Sequence, residues 1–189
     1  MKKLYLSIIT LFFFATAFLA AQSADTAALK PIIGHFAPRN FGAGEVTKAQ
    51  IEQIIQAGIH APSANNRQPW HFTVVQDQAL AKRIVSQVND GNILIIVSAS
   101  GDGKTNGAAI LDCGLAVQSM YLAAQAIGLA SRIYTGPVDT INSRFKTELN
   151  LPQNHNAVAL IRIGHMPANV DAVSSASSRN NTDRMVTYK

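Results

Sequence analysis

The chain has little charge, a single tryptophan and a single cysteine. Of its 189 residues 14% are charged, and the formal net charge is +5. Lys2 and Lys3 supply two of those charges ahead of an apolar run, leaving +3 on the remainder. No basic run is interleaved with aromatics, and so small a diffuse excess argues against a nucleic-acid partner. With Cys113 alone, no intrachain disulfide can form. That cysteine lies in an apolar stretch and reads as a buried small hydrophobe rather than a catalytic thiol. His35, His60, His71, His155 and His165 lack metal-ligand spacing such as a helical i, i+4 pair, which argues against a metal site. There is no internal repeat and no second domain.

What is there begins with a leader. Lys2-Lys3 precedes an apolar run from Leu4 to Ala20 that closes on Ala20-Ala21-Gln22, the pattern of a cleavable secretory signal over residues 1–21. The run is short for a membrane span of roughly 20 residues and ends in small residues rather than charges. Cleavage and export to the periplasm are therefore expected, without stable membrane insertion. No cysteine follows the run to carry a lipid anchor. Residues 22–34 read as a lead-in segment and residues 35–189 as one domain with an extended C-terminal arm.

Along the domain, Thr47 and Gln50 form a capping box ahead of Ile51, Ile54, Ile55 and Ile59 at helical spacing. The segment His71–Gln76 alternates as a strand, with Phe72 and Val74 on one face, and Ala79–Val88 reads as a short helix. The run Ile93–Ala99 has the β-branched character of a strand buried on both faces. From Ala108 to Ile127 the chain is apolar almost all round, with Asp112, Gln118, Ser119 and Gln125 as interruptions and Gly128 as a stop. That suits the central helix of a compact domain. Asp112 is expected to be paired with backbone or with a buried donor, because burial otherwise costs several kcal/mol. Ser131–Thr135 and Ala157–Ile163 read as strands. Between them a helix starts at Gly136-Pro137, with Val138, Ile141, Phe145 and Leu149 on one face. The tail from Ala168 holds too few large apolar residues for its own core, and is either disordered or an arm laid on something else. Interleaved helices and strands give an α+β class, with a sheet flanked by helices.

The densest chemistry is in Ala61-Pro62-Ser63-Ala64-Asn65-Asn66-Arg67-Gln68-Pro69-Trp70. The prolines fix φ, and the Ser and Asn side chains bond locally while offering donors outward. This is either a stiff loop aimed at a small-molecule pocket or a rigid surface turn with a helix stop. Trp70 is expected in the core.

Together with Arg39-Asn40-Phe41, that stretch resembles the FMN-dependent nitroreductase family. Asp112–Ala124 with Gly128-Leu129 is similar to the family's central helix, and Ile163-Gly164-His165-Met166-Pro167 to its last strand. The resemblance covers residues 34–188. It implies a nitroreductase-like central mixed sheet, a long helix at a homodimer interface, and two FMN sites each built from both subunits. It also implies hydride transfer from NAD(P)H through FMN to a small acceptor such as a nitroaromatic or quinone. The flavin carries that chemistry, so no acid–base residue is expected to be catalytic. By position, Arg39 falls at the phosphate or ribityl chain, where a guanidinium offers a planar donor fork. Pro62, Ser63 and Ala64 fall along the isoalloxazine from the partner subunit. Asn66 and Gln68 supply orienting amides or simply brace the loop. Thr135 and Gly136 fall near the flavin N5, and Arg179 returns from the tail to the phosphate.

The chain departs from the family where an Arg-Arg-Ser start is usual: His35, Phe36 and Ala37 stand there, and Ser177 replaces a basic residue before Arg179. The chain is also short between Val88 and Ile93. Two lost charge-assisted bonds, at roughly 1.5–3 kcal/mol each, weaken flavin binding on the order of a hundredfold or more. The alternative expectation is thus an exported binding protein of the same fold that has lost efficient flavin redox chemistry.

Overall fold

The structure is a computed structural model and describes residues 29–34, 36–101, 107–168 and 178–189. It divides into two units, Met1–His35 and Phe36–Lys189. In the first, residues 29–33 form a helical turn, and the Gly34 N–H donates to the Lys30 carbonyl at 2.8 Å. The expected signal segment lies outside the described residues, as do His35 and Ser177.

In the second unit, helix α1 (Lys48–Ile59) starts as the capping box dictates. The Thr47 hydroxyl accepts from the Gln50 N–H, and the Gln50 side chain accepts from the Thr47 N–H. After a 3-10 turn at Ala64–Asn66 come β1 (Trp70–Val75), α2 (Gln78–Ile84), β2 (Ile93–Ser100) and α3 (Gly107–Ala126). The chain continues through β3 (Leu129–Tyr134), a helical turn Val138–Thr140 running into a π turn Ile141–Phe145, β4 (His155–His165) and α4 (Thr182–Met185).

The sheet order is β1-β2-β4-β3. All three pairings are antiparallel, so the expected mixed sheet is corrected to an antiparallel one among the described strands. β1 and β2, and β3 and β4, are consecutive antiparallel neighbours, while α3 carries the chain from β2 across to β3, leaving the slot between them for β4, which runs antiparallel to both. Helix α2 is shorter than expected: Val85 already takes extended dihedrals, and Val85 and Val88 turn into the core beneath β2.

Alternation along the central strands makes two cores. Ile93, Ile95, Val97, Ile161 and Ile163 face α1 and α3. Leu94, Ile96 and Leu160 face Ala81, Ile84, Ile141, Phe145 and Leu149. That is why β2 reads as unbroken apolar sequence. Helix α3 is long and apolar enough to cross a membrane, yet it packs on α1 and on the sheet as a core helix. α1 comes very close to it: a Cβ at Gly58 would lie 2.8 Å from Met120 Cγ. Trp70 and Phe72 stack in parallel at 6.3 Å and pack partly buried against the α1–α3 core, as expected for Trp70. Cys113 is fully buried and unpaired, and burial pushes its thiol up to about 11.

Candidate functional site

Two assemblies of polar groups hang from opposite ends of α3. The first is the elbow after α1. Asn65, Asn66 and Gln68 all have positive φ (54°, 54° and 47°), three left-handed non-glycine residues within four positions. Asn tolerates that region and Gln much less, so the turn holds strain that its surroundings must maintain. They do so with hydrogen bonds. The Gln68 N–H donates to Ser63 Oγ at 3.0 Å, Gln68 Nε2 to Asn66 Oδ1 at 3.1 Å, and Arg67 Nε to the Ala64 carbonyl at 3.2 Å. From beneath, Asp112 Oδ1 accepts the Ala64 N–H at 3.0 Å. The elbow is thus fastened to the N-terminal part of α3 by a carboxylate with 2% exposure, the paired Asp112 anticipated from sequence. Asp112 Oδ2 is buried without a hydrogen-bond partner among the described residues. Beside the elbow, Gln68, Trp70, His71, Phe72 and Val74 line a groove of about 410 Å³ with Ile55 and Ile59.

The second assembly is a strap, residues 36–46. At its start the Gln125 side chain accepts from the Phe36 N–H (3.1 Å) and donates to the Phe36 carbonyl (3.0 Å) and to Ser131 Oγ (3.1 Å). Arg132 Nη1 donates to the Pro38 carbonyl at 3.3 Å, and Asn89 Nδ2 to the Phe41 carbonyl. The Gly42 N–H reaches the His165 carbonyl at 2.9 Å, and the Val46 N–H the Gly91 carbonyl at 3.3 Å. There is no space for more than glycine here: a Cβ at Gly91 would lie 2.2 Å from the Gly44 carbonyl oxygen. On this nailed-down strap Arg39 is exposed and makes no hydrogen bond or ion pair among the described residues. Its guanidinium is free to meet a ligand. The charge of Arg179 is felt at Tyr121, one turn before Gln125, where it offsets part of the upward push of burial on the tyrosine. Arg179 thus lies within electrostatic reach of Tyr121 on α3.

Thr135 and Gly136 are exposed in the turn after β3, and a side chain at Gly136 would meet nothing within 4 Å. Pro62, Ala64, Asn66 and Gln68 are exposed and Ser63 is half-buried. Asn66 and Gln68 bond each other, so they brace the loop. No hydrogen bond among the described residues joins the elbow to Arg39, Thr135 or Gly136. Asp112 and Gln125 are thirteen residues apart on α3, about 20 Å at about 1.5 Å per residue. Elbow and strap are thus anchored to well-separated points of α3.

The family model of nitroreductases matches residues 32–99 and 87–165. The chain belongs to the nitroreductase family. The oxidoreductase class expected from sequence stands with that membership. A protein of Archaeoglobus fulgidus named an NADH dehydrogenase/NAD(P)H nitroreductase is 29% identical over 167 residues, covering 83% of this chain and 95% of that protein. Among solved structures, a nitroreductase with bound FMN from Desulfitobacterium hafniense superposes with a TM-score of 0.70 at 22% identity, over 86% of this chain and 98% of that one. A Bacteroides thetaiotaomicron protein with the same NADH dehydrogenase/NAD(P)H nitroreductase name gives 0.71 at 25% identity, over 86% and 96%. These likenesses bear out the α+β nitroreductase fold.

Sequence reasoning missed Gln125 and Arg132, which fasten the strap. Gln125 stood out only as one of the few polar residues in α3. Nothing marked the residues it would touch, 89 positions away.

Proposed function

We propose that this nitroreductase-family chain is an FMN-dependent oxidoreductase. It moves a hydride from NADH or NADPH to a small acceptor such as a nitroaromatic or quinone, works as a homodimer and is exported to the periplasm. The observation that carries the reading is the separation of elbow and strap along α3. Near its elbow end α3 exposes Leu111 (64%) and Leu115 (37%), with Gly114 open to close approach. Pairing that face antiparallel with a second copy sets the elbow of one chain beside the strap of the other, and leaves a crevice there for a flat, anionic ligand.

The residues present fit FMN. Arg39 and Arg179 would hold its anionic tail as planar donor forks, and Pro62, Ser63 and Ala64 of the partner copy would bound the ring. The strained elbow, already fixed by Asp112, meets the ring without a further ordering cost. Bound FMN supplies the hydride-carrying chemistry. The protein's part is to orient it, shield it from water and set the local charge.

The second reading, a binding protein of this fold without efficient flavin chemistry, is favoured by Phe36. Its backbone donor and acceptor are both taken by Gln125, and its side chain offers a phosphate nothing. One preparation separates the two. Purified mature protein is expected to be yellow, with about one flavin per subunit, and to oxidise NADH or NADPH when a quinone is added. Arg39→Ala is expected to weaken FMN binding at least about tenfold, the loss of one charge-assisted bond, with the fold intact. Colourless protein that takes up no added FMN would leave the binding-protein reading. Mass spectrometry of the mature N-terminus tests export: an intact Met1 would overturn it.

A further inference from the structure

Arg162 lies in the middle of β4 with 1% of its surface exposed. No ion pair among the described residues includes it. Its Nε and Nη2 both donate to Asn92 Oδ1, at 2.9 and 2.8 Å. The Phe41 ring covers the guanidinium at 4.1 Å, and the Tyr134 hydroxyl faces it. Nη1 is buried without a hydrogen-bond partner among the described residues. Its register partner on β3 is another cation, Arg132. Like charges directly opposite one another destabilise a sheet, and a cation taken out of water is costly unless a counter-ion offsets the loss. Replacing such a buried cation by a well-packed apolar residue is often neutral or stabilising.

Both arginines end on the strap. Arg132 donates to the Pro38 carbonyl. Arg162 lies under Phe41 and reaches Gly42 through Asn92, whose Nδ2 donates to the Gly42 carbonyl at 3.1 Å. Asn92 is wedged in place, since a Cβ at Gly164 would lie 2.5 Å from its Nδ2. Arg39 and Asn40 sit between these anchor points. The Cα atoms of Arg39 and Phe41 are two residues, hence at most about 7 Å, apart. The Arg162 guanidinium lies a further 4.1 Å below the Phe41 ring, so its field reaches the strap through packed protein, where it is screened less than through solvent.

We infer that Arg162 is a positioning residue and buried counter-charge for an anionic group held on the Phe36–Gly42 strap. The inference rests on the reading of the strap as the seat of a phosphate-bearing flavin. The missing negative partner of Arg162 is then the ligand's own phosphate, and the cation is retained at the expense of the unliganded fold.

The test titrates FMN, and riboflavin as the probe without phosphate, into flavin-free protein and records thermal unfolding alongside. Arg162→Met is expected to weaken FMN binding about three- to tenfold and riboflavin binding less than about twofold, with unliganded stability unchanged or raised. Arg162→Gln removes the charge but keeps an amide facing Asn92, and serves if the Met variant does not fold. Arg162→Lys restores the charge and is expected to recover most of the preference for FMN. Parallel loss of both probes with a lowered Tm, or no change in either, would overturn the inference. Parent protein that binds neither probe overturns the cofactor reading itself and this inference with it.

Discussion

Asp112→Ala is the sharpest probe of how the elbow is held. Among the described residues the carboxylate accepts one hydrogen bond, from the Ala64 N–H at 3.0 Å, across 48 residues of sequence. A hydrogen bond to a charged group contributes about 1.5–3 kcal/mol. Global stability is a poor readout, because the same substitution removes a buried carboxylate whose other oxygen has no hydrogen-bond partner among the described residues. Relief of that desolvation offsets much of the lost bond. Local opening is the better one. Without its acceptor the Ala64 amide is expected to exchange with solvent about ten- to a hundredfold faster, which is 1.5–3 kcal/mol expressed as a ratio. Asp112→Asn keeps a carbonyl acceptor at the same place and is expected to retain most of the protection. Flavin affinity should fall in Asp112→Ala, because binding must then restore the left-handed turn at Asn65 and Asn66. Native-state hydrogen exchange resolved at Ala64 decides the matter. Unchanged protection there in Asp112→Ala would mean the elbow holds its strained backbone by its own side chains, and that the tether to α3 is incidental.

Leu115→Glu places a charge on the open face of α3 and should convert a dimer to a folded monomer in gel filtration, with loss of bound flavin; a variant that still elutes as a dimer would place the interface elsewhere. Cys113, buried and with its thiol pushed up to about 11, should not react with a disulfide reagent at pH 8 until denaturant is added. Burial, first, and then the charges of His71 and Lys146 hold His155 below its ordinary value of 6.5 in the folded state. Folding therefore favours the neutral ring. That contribution is whole above the unfolded value and is lost as pH falls through it towards the folded one. Tm should thus drop between pH 7 and pH 5, and His155→Gln should flatten part of the slope.

Local rules carried much of this fold into plain view. The Thr47–Gln50 capping box, the stop at Gly128 and the β-branched run of β2 each depend on neighbours a few residues away, so their residue types suffice to announce them. The crowding of Pro, Ser and Asn between Pro62 and Pro69 marked the elbow for the same reason. The rest was decided at long range. Nothing near Gln125 says that it will clamp Phe36, nothing near Asn92 says that it will carry Arg162 to Gly42, and the antiparallel order of all four strands follows from how the helical excursions return. Hydrogen bonds and burial between residues 50 to 90 positions apart leave no periodic trace, because each depends on where the backbone of the other has been placed. The sequence by itself determined the elements, the family and the elbow. Only the tertiary structure decided that elbow and strap stand at opposite ends of one helix, because that distance is set by the helix rise and by two anchors which exist only once the chain has folded.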